Sequence, residues 1–263
     1  MASKKLCSDA DELPYFGAKE LRKACRTFAA RTGWGIDNVG PRQMSWLSDE
    51  LLDKIAAFLQ AIERAGIWPG QLQEALIHLI PKLTGGRRPI GLVSCLPRVW
   101  ERVRKPVLKR WRSQYSREYN WMTAGKGAER AVWAQSVEEE AGRFDRKKSA
   151  VVLVDLVKAF EQVTLVSVWE AGIKAQFPTK MLRLAMEMCT FRRRLVYRRA
   201  LSEGNVSTAT AILAGLGVAT DLMFLKLVKP LDQLQAEFPC LRIFLVADDV
   251  RLGVQHTEED QLI

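Results

Sequence analysis

AVVLVDL, residues 150–156, is the stretch on which the fold of this chain turns. A continuous run of β-branched and aliphatic residues predicts a strand buried on both faces, because a strand with one wet face would alternate apolar and polar positions. Its single acid, Asp155, sits where desolvation is costly, so it calls for a partner or a task. Only Asp248 and Asp249, in IFLVADDV at 243–250, interrupt another run of this kind. Residues 241–246 predict a second strand, 247–249 its turn, and 250–254 the returning arm of a hairpin. Between the two runs, 165–189 predicts a helix interrupted around Phe177 and Pro178, and 220–238 predicts another. Strand, helix, helix, hairpin is an α+β order.

Upstream, Ser48 precedes Asp49, Glu50 and a periodic apolar series, Leu51, Leu52, Ile55, Phe58, Leu59 and Ile62. That pattern predicts a capped amphipathic helix ending near Gly66. The short apolar run at 75–80, halted by Pro81, predicts a strand leading into a basic loop at 82–88. Val99, Val103, Val107 and Trp111 recur at helical spacing, so a helix is expected over 96–111, bent at Pro106. Residues 1–40 mix charged pieces with Gly33, Gly35 and Gly40 and read as a loosely structured lead. The chain thus divides into a lead (1–45), a central region (46–148) and a C-terminal region (149–263).

Forty basic against thirty acidic residues give a formal charge of +10. Between Lys82 and Arg117 eleven cations (Lys82, Arg87, Arg88, Arg98, Arg102, Arg104, Lys105, Lys109, Arg110, Arg112, Arg117) accompany one acid, Glu101, an excess equal to the whole net charge. Arg192, Arg193, Arg194, Arg198 and Arg199 form a second cluster. Such clustering is the electrostatic footprint of a polyanion-binding face. A solvated helix surface or an anionic-lipid patch would carry the same charge, and charge alone does not separate them.

Several classes have no material. Five cysteines without a CxxC pair argue against a disulfide framework or zinc ribbon and read as plain buried thiols. Two histidines, His78 and His256, are too few for a zinc site or hydrolase triad, and His78 in an apolar strand reads as a satisfied core residue. No GxxxxGK[ST] occurs. The tryptophans are explained by core packing, with one or two near the basic stretch available to stack on bases. The first thirteen residues lack an apolar signal core, and 211–228 is interrupted by Asp221 and Lys226. An intracellular, cytoplasmic or nuclear protein without a membrane partner is therefore expected.

The three aspartates are the chemical candidates. Carboxylate oxygens are what hard cations such as Mg²⁺ select, and converging carboxylates can hold two ions for in-line phosphoryl displacement. Adjacent aspartates in a turn more often merely cap it; the apolar flanks weaken that alternative here. Side chains alternate along a strand, so Asp248 and Asp249 cannot both point the same way.

VDLVKAFEQV (154–163), VADD (246–249), LIPKLTGGRRPIGLVS (79–94) and GLGVATDL (215–222) resemble, in order and spacing, the motifs of reverse transcriptases of the non-LTR retrotransposon and group II intron branch. The resemblance spans about 37–253. It implies a right-hand polymerase with fingers (46–148) and a partial palm (149–263). Asp155 and Asp248 would hold two Mg²⁺ ions, replaceable by Mn²⁺, with Asp249 the weaker third carboxylate. Phe160 would be the steric gate that favours deoxynucleotides, with a plain core role as the alternative. Lys82, Arg87 and Arg88 match the triphosphate-clamping finger loop, Arg88 best, and Gly217 and Thr220 fall in the fourth motif. Lys158 and Arg130 are template contacts or surface charges. The implied partners are an RNA or DNA template with primer and deoxynucleoside triphosphates.

The chain also departs from the pattern. Thr220 stands where the family has a glutamine, Asp221 where it has a glycine, Val246 where it has an aromatic residue, and Glu161 where it has an aspartate. GKGAERAV from Gly125 lacks the usual serine and threonine of the third finger motif. An extra carboxylate at Asp221 would repel phosphates unless it points away. Fourteen residues follow Asp249, too few for a thumb, so a truncated fragment with weak activity is expected. A catalytically idle nucleic-acid-binding relic and an RNA-dependent RNA polymerase palm are the competing expectations.

Overall fold

The computed structural model describes residues 12–256 apart from Thr84, Ala124, Arg199 and Ala209; Cys7 and Arg199 therefore lie outside the described residues. Helices and strands are mixed in a manner compatible with the α+β expectation. The chain divides into two compact units that interleave along the sequence: residues up to 111 with 160–219, and 112–159 with 220 onward. Neither unit follows the sequential division at 45 and 148. No helix among the described residues is long and apolar enough to cross a membrane.

The first unit begins with α1 (Ala18–Arg26), which buries Leu21, Ala24 and Cys25. The lead is thus part of the core from Phe16 onward, because its apolar residues fall at helical spacing between the charges. Helix α2 (Asp49–Ala65) forms as expected: the Ser48 hydroxyl accepts the Leu51 N–H, and Gly66, at φ +66°, ends it. Strand β1 (Glu74–Pro81) and strand β2 (Arg87–Val93) form an antiparallel hairpin. Arg87 and Arg88, expected in a loop, therefore begin the returning strand.

Helix α3 (Cys95–Tyr115) runs from this unit into the second and carries Pro106 inside it. Arg104 of α3 pairs with Glu63 of α2 in the interior, and the Trp100 indole N–H donates to the same carboxylate at 2.6 Å. Helices α5 (Ala159–Gln162), α6 (Leu165–Lys174) and α7 (Thr179–Cys189) follow, the last two separated at Phe177 and Pro178 as expected. Strand β4 (Arg192–Tyr197) pairs parallel with β1 and antiparallel with β5 (Ala200–Leu201), giving the order β2-β1-β4-β5.

The second unit contains α4 (Ala128–Phe144), β3 (Lys148–Val154), most of α8 (Ala219–Glu237), β6 (Arg242–Val246) and β7 (Asp249–His256). Its antiparallel sheet has the order β3-β7-β6. The buried faces come from Ile243, Phe244, Leu245 and Val250. Arg251 of β7 reaches Glu139 of α4 at 2.6 Å, and Gln255 donates to the Glu138 carbonyl. The outer edge of β6 is covered by 119–121, whose backbone bonds Leu245 from both sides, while Trp121 stacks on Phe244 with ring centroids 5.4 Å apart.

Strand β3 corrects one expectation. It is not buried on both faces: Val152 is 57% and Leu153 77% exposed. Among the described residues it is an edge strand, paired with β7 on one side only, and an unbroken apolar run does not by itself distinguish an edge from a central strand. Two smaller corrections concern single residues. Cys25, Cys95 and Cys189 are buried, with thiols pushed up by burial to about 11, 12 and 11, but Cys240 is exposed. The buried His78 Nε2 has no hydrogen-bond partner among the described residues, so there it is not the satisfied core residue expected.

Candidate functional site

The second unit brings the three aspartates to one end of one sheet. Val154, the last residue of β3, pairs with Val250 of β7. The register ends there, with Asp155 following directly after β3 and Asp249, the first residue of β7, pairing with Val246 at the head of the hairpin. Asp248 occupies the two-residue turn between them, after Ala247 at φ +59°. A left-handed alanine is disfavoured by its Cβ, by about 1–2 kcal/mol, and must be held in place by the paired strands on either side. Asp155 and Asp249 are exposed and Asp248 is half-buried.

These oxygens have the chemistry for a hard cation, but no group of three or more His, Cys, Asp or Glu side chains among the described residues is arranged to hold an ion alone. Mg²⁺ does not require such a cage; it commonly takes one or two carboxylates and completes its shell with water and phosphate oxygens.

Asp221 does not add free negative charge. It lies in the first turn of α8, is buried, and receives two hydrogen bonds from the Arg112 guanidinium, both at 2.6 Å. Burial pushes its carboxyl upward against the opposing pull of Arg112, whose own pKa is raised by the bond. The repulsion expected of an extra acid is thus neutralised by a cation of the same unit. Thr220, beside it, is half-buried. Arg117 likewise pairs with Asp232, which also accepts the Tyr119 hydroxyl at 2.6 Å.

No protein-family model and no curated protein matches this chain.

In the first unit, Lys82, Arg87 and Arg88 lie at the tip of the β1–β2 hairpin, and all three are exposed. Arg87 is engaged: it donates to the Tyr197 hydroxyl at 2.7 Å, and its guanidinium lies 3.8 Å from that ring's centre. Arg88 pairs with Ile80 across the hairpin. Phe160, in α5, is half-buried rather than core, and its carbonyl accepts the Ile212 N–H at 2.8 Å. Arg130 donates to the Gly125 carbonyl in the second unit, and Lys158 is exposed at φ +50°.

Gly217 is exposed, yet its N–H is gripped from below. The Glu101 carboxylate accepts the N–H groups of Gly217 at 3.0 Å and Val218 at 3.3 Å. Glu101 is buried, and desolvation pushes its carboxyl up to about 7 in spite of those two bonds and the nearby charges of Arg102 and Arg98. Just before it, Gly215 is at φ +117° and a Cβ there would stand 2.2 Å from the Gly91 carbonyl oxygen, so 213–215 lies directly on β2. Glu101 and Tyr197 were not foreseen as site residues. For Glu101 a signal existed: it is the one acid in the long basic stretch. Tyr197 offered none, since its partner is 110 residues away.

The basic face is smaller than the linear count suggests. Of the eleven cations between 82 and 117, Arg104, Arg112 and Arg117 form ion pairs with Glu63, Asp221 and Asp232. Each acid lies far away in sequence, so the linear charge pattern could not reveal the compensation.

Proposed function

We propose that this chain carries the nucleotidyl-transfer residues of an RNA-directed DNA polymerase, acting on a template–primer and deoxynucleoside triphosphates. The observation that supports it best is the β3–β7 register, in which Val154, the residue before Asp155, pairs with Val250, the residue after Asp249, although these segments are far apart in the sequence. Asp155 and Asp248 would hold Mg²⁺, with Asp249 as an outer carboxylate; when bound, the metal stabilises the primer 3′-oxygen as a nucleophile and neutralises triphosphate charge.

The chain's own groups have positional tasks. Arg88 and Lys82 present cations suited to phosphate oxygens, Arg88 with the bidentate fork. Phe160 offers a ring edge that would crowd a ribose 2′-hydroxyl. Gly217 and Thr220 belong to the segment that would lie along the template and nucleotide, and the Glu101 carboxylate keeps the first of them in place. Asp221 stays out of the chemistry because Arg112 holds it.

Two measurements test the proposal. Mn²⁺ binding to the 263-residue chain, followed by electron paramagnetic resonance, is expected to weaken at least tenfold in Asp155→Asn and in Asp248→Asn. Addition of a single deoxynucleotide to a primer–template is expected to require Mg²⁺ and to disappear in both variants. Incorporation that persists in either variant rejects the assignment. Salt-sensitive nucleic-acid binding without metal binding by the unmodified chain would instead favour the idle-relic reading.

A further inference from the structure

The first unit carries a half-open cavity of about 200 Å³ between the β1–β2–β4 sheet and the 211–214 segment. Its walls are largely apolar, with Ile77, Leu79 and Leu195 from the sheet and Ile212 from the facing segment. Three polar side chains interrupt them: Arg193, Thr208 and Glu161. The Arg193 Nε and the Thr208 Oγ1 are both buried and have no hydrogen-bond partner among the described residues. Arg193 uses another donor, Nη2, on the Cys189 carbonyl at 2.9 Å, which anchors the guanidinium and leaves the Nε–H unanswered. Glu161 is exposed, so its carboxylate marks the solvent side.

Buried donors in native proteins nearly always have a partner, and two orphans lining one cavity point to something absent that accepts hydrogen bonds. Water alone is a poor answer: a water molecule claims about 30 Å³ and seeks two to four polar partners, whereas most of this lining is apolar. The volume falls below the roughly 300–1,000 Å³ of sites for drug-sized ligands, so the occupant is about one ring in size. Arg193 and Glu161 put opposite charges on the lining, so a neutral ligand suits the site better than an anion. Donors inside and an acceptor at the mouth require a carbonyl beside an N–H, on a body thin enough for the space between the sheet and the facing segment.

We propose that this cavity binds the lactam edge of a nucleobase-sized heterocycle. The ring carbonyl accepts from Arg193 Nε–H and the Thr208 hydroxyl, and the adjacent ring N–H donates to Glu161. The site uses none of the residues assigned to nucleotidyl transfer and stands or falls separately from that function.

The test is calorimetric titration of the full chain with uracil and with 1,3-dimethyluracil, which keeps the ring and carbonyls but lacks both N–H groups. Saturable uracil binding is expected, at least tenfold tighter than that of the dimethyl compound. Thr208→Val, close to isosteric, and Arg193→Met are each expected to weaken uracil binding at least fivefold, with unchanged circular dichroism showing that the fold survives. Should Arg193→Met fail to fold, Thr208→Val decides alone. No saturable uracil binding, equal binding of the two compounds, or unchanged affinity in Thr208→Val overturns the proposal.

Discussion

Replacing Glu101 by glutamine should remove a pH dependence that the first unit carries in its interior. The Glu101 carboxyl is pushed from the ordinary 4.5 up to about 7, chiefly by burial, with the Gly217 and Val218 amides pulling the other way. Below pH 4.5 the group is protonated in both folded and unfolded chains and contributes no penalty. As pH rises from 4.5 to 7 the unfolded chain ionises first while the folded one keeps its proton, so stability falls; above 7 both are ionised and the loss is complete. One pKa unit corresponds to about 1.4 kcal/mol, so the fall between pH 5 and pH 8 is about 2.5 kcal/mol.

A glutamine is neutral throughout and should show none of that fall. It keeps one oxygen for one of the two amides and turns an NH₂ group toward the other, at a cost of about 1 kcal/mol that does not vary with pH. Urea unfolding of both proteins at pH 5 and pH 8 measures the difference of differences, in which every other titrating group cancels. Hydrogen exchange at the Gly217 and Val218 amides localises it. An equal change in stability between the two pH values for both proteins would refute the reasoning.

Three further outcomes follow from named contacts. Gly215→Ala places a methyl 2.2 Å from the Gly91 carbonyl oxygen at φ +117°; a loss of about 3 kcal/mol or more is expected in chemical denaturation, and a loss below 1 kcal/mol would contradict the tight seating of this segment on β2. Asp221→Ala leaves the Arg112 guanidinium without its bidentate partner and should cost about 3 kcal/mol, largely regained in the Arg112→Met, Asp221→Leu double variant; absence of that recovery would show the pair is not coupled. Arg88→Ala should lower the slope of log affinity for single-stranded nucleic acid against log salt by about 1, whereas Lys→Ala substitution far from the hairpin tip should lower affinity less; equal effects would remove Arg88 from the binding face.

Much of the architecture was legible because it is governed by short-range rules. Ser48 and Gly66 bracket α2 through cap chemistry that each residue carries locally, and the break at Phe177 and Pro178 follows from a ring that cannot donate a helical hydrogen bond. The hairpin around Ala247 and Asp248 was visible as two apolar runs flanking a turn. The candidate aspartates were visible too, as acids set in otherwise apolar strands.

What the linear order could not hold is who meets whom. The exposure of β3 depends on its place at the edge of the sheet, and its composition would suit a central strand equally well. Asp221 reads as an intruder in its motif until Arg112, 109 residues away, neutralises it, and Arg87 reads as a phosphate clamp until Tyr197 covers its guanidinium. Helix and turn formation depend on neighbours within a few residues, so the amino-acid order determines them directly. Charge compensation, burial and register depend on contacts between segments far apart in the chain, and those exist only once the tertiary structure has brought the segments together.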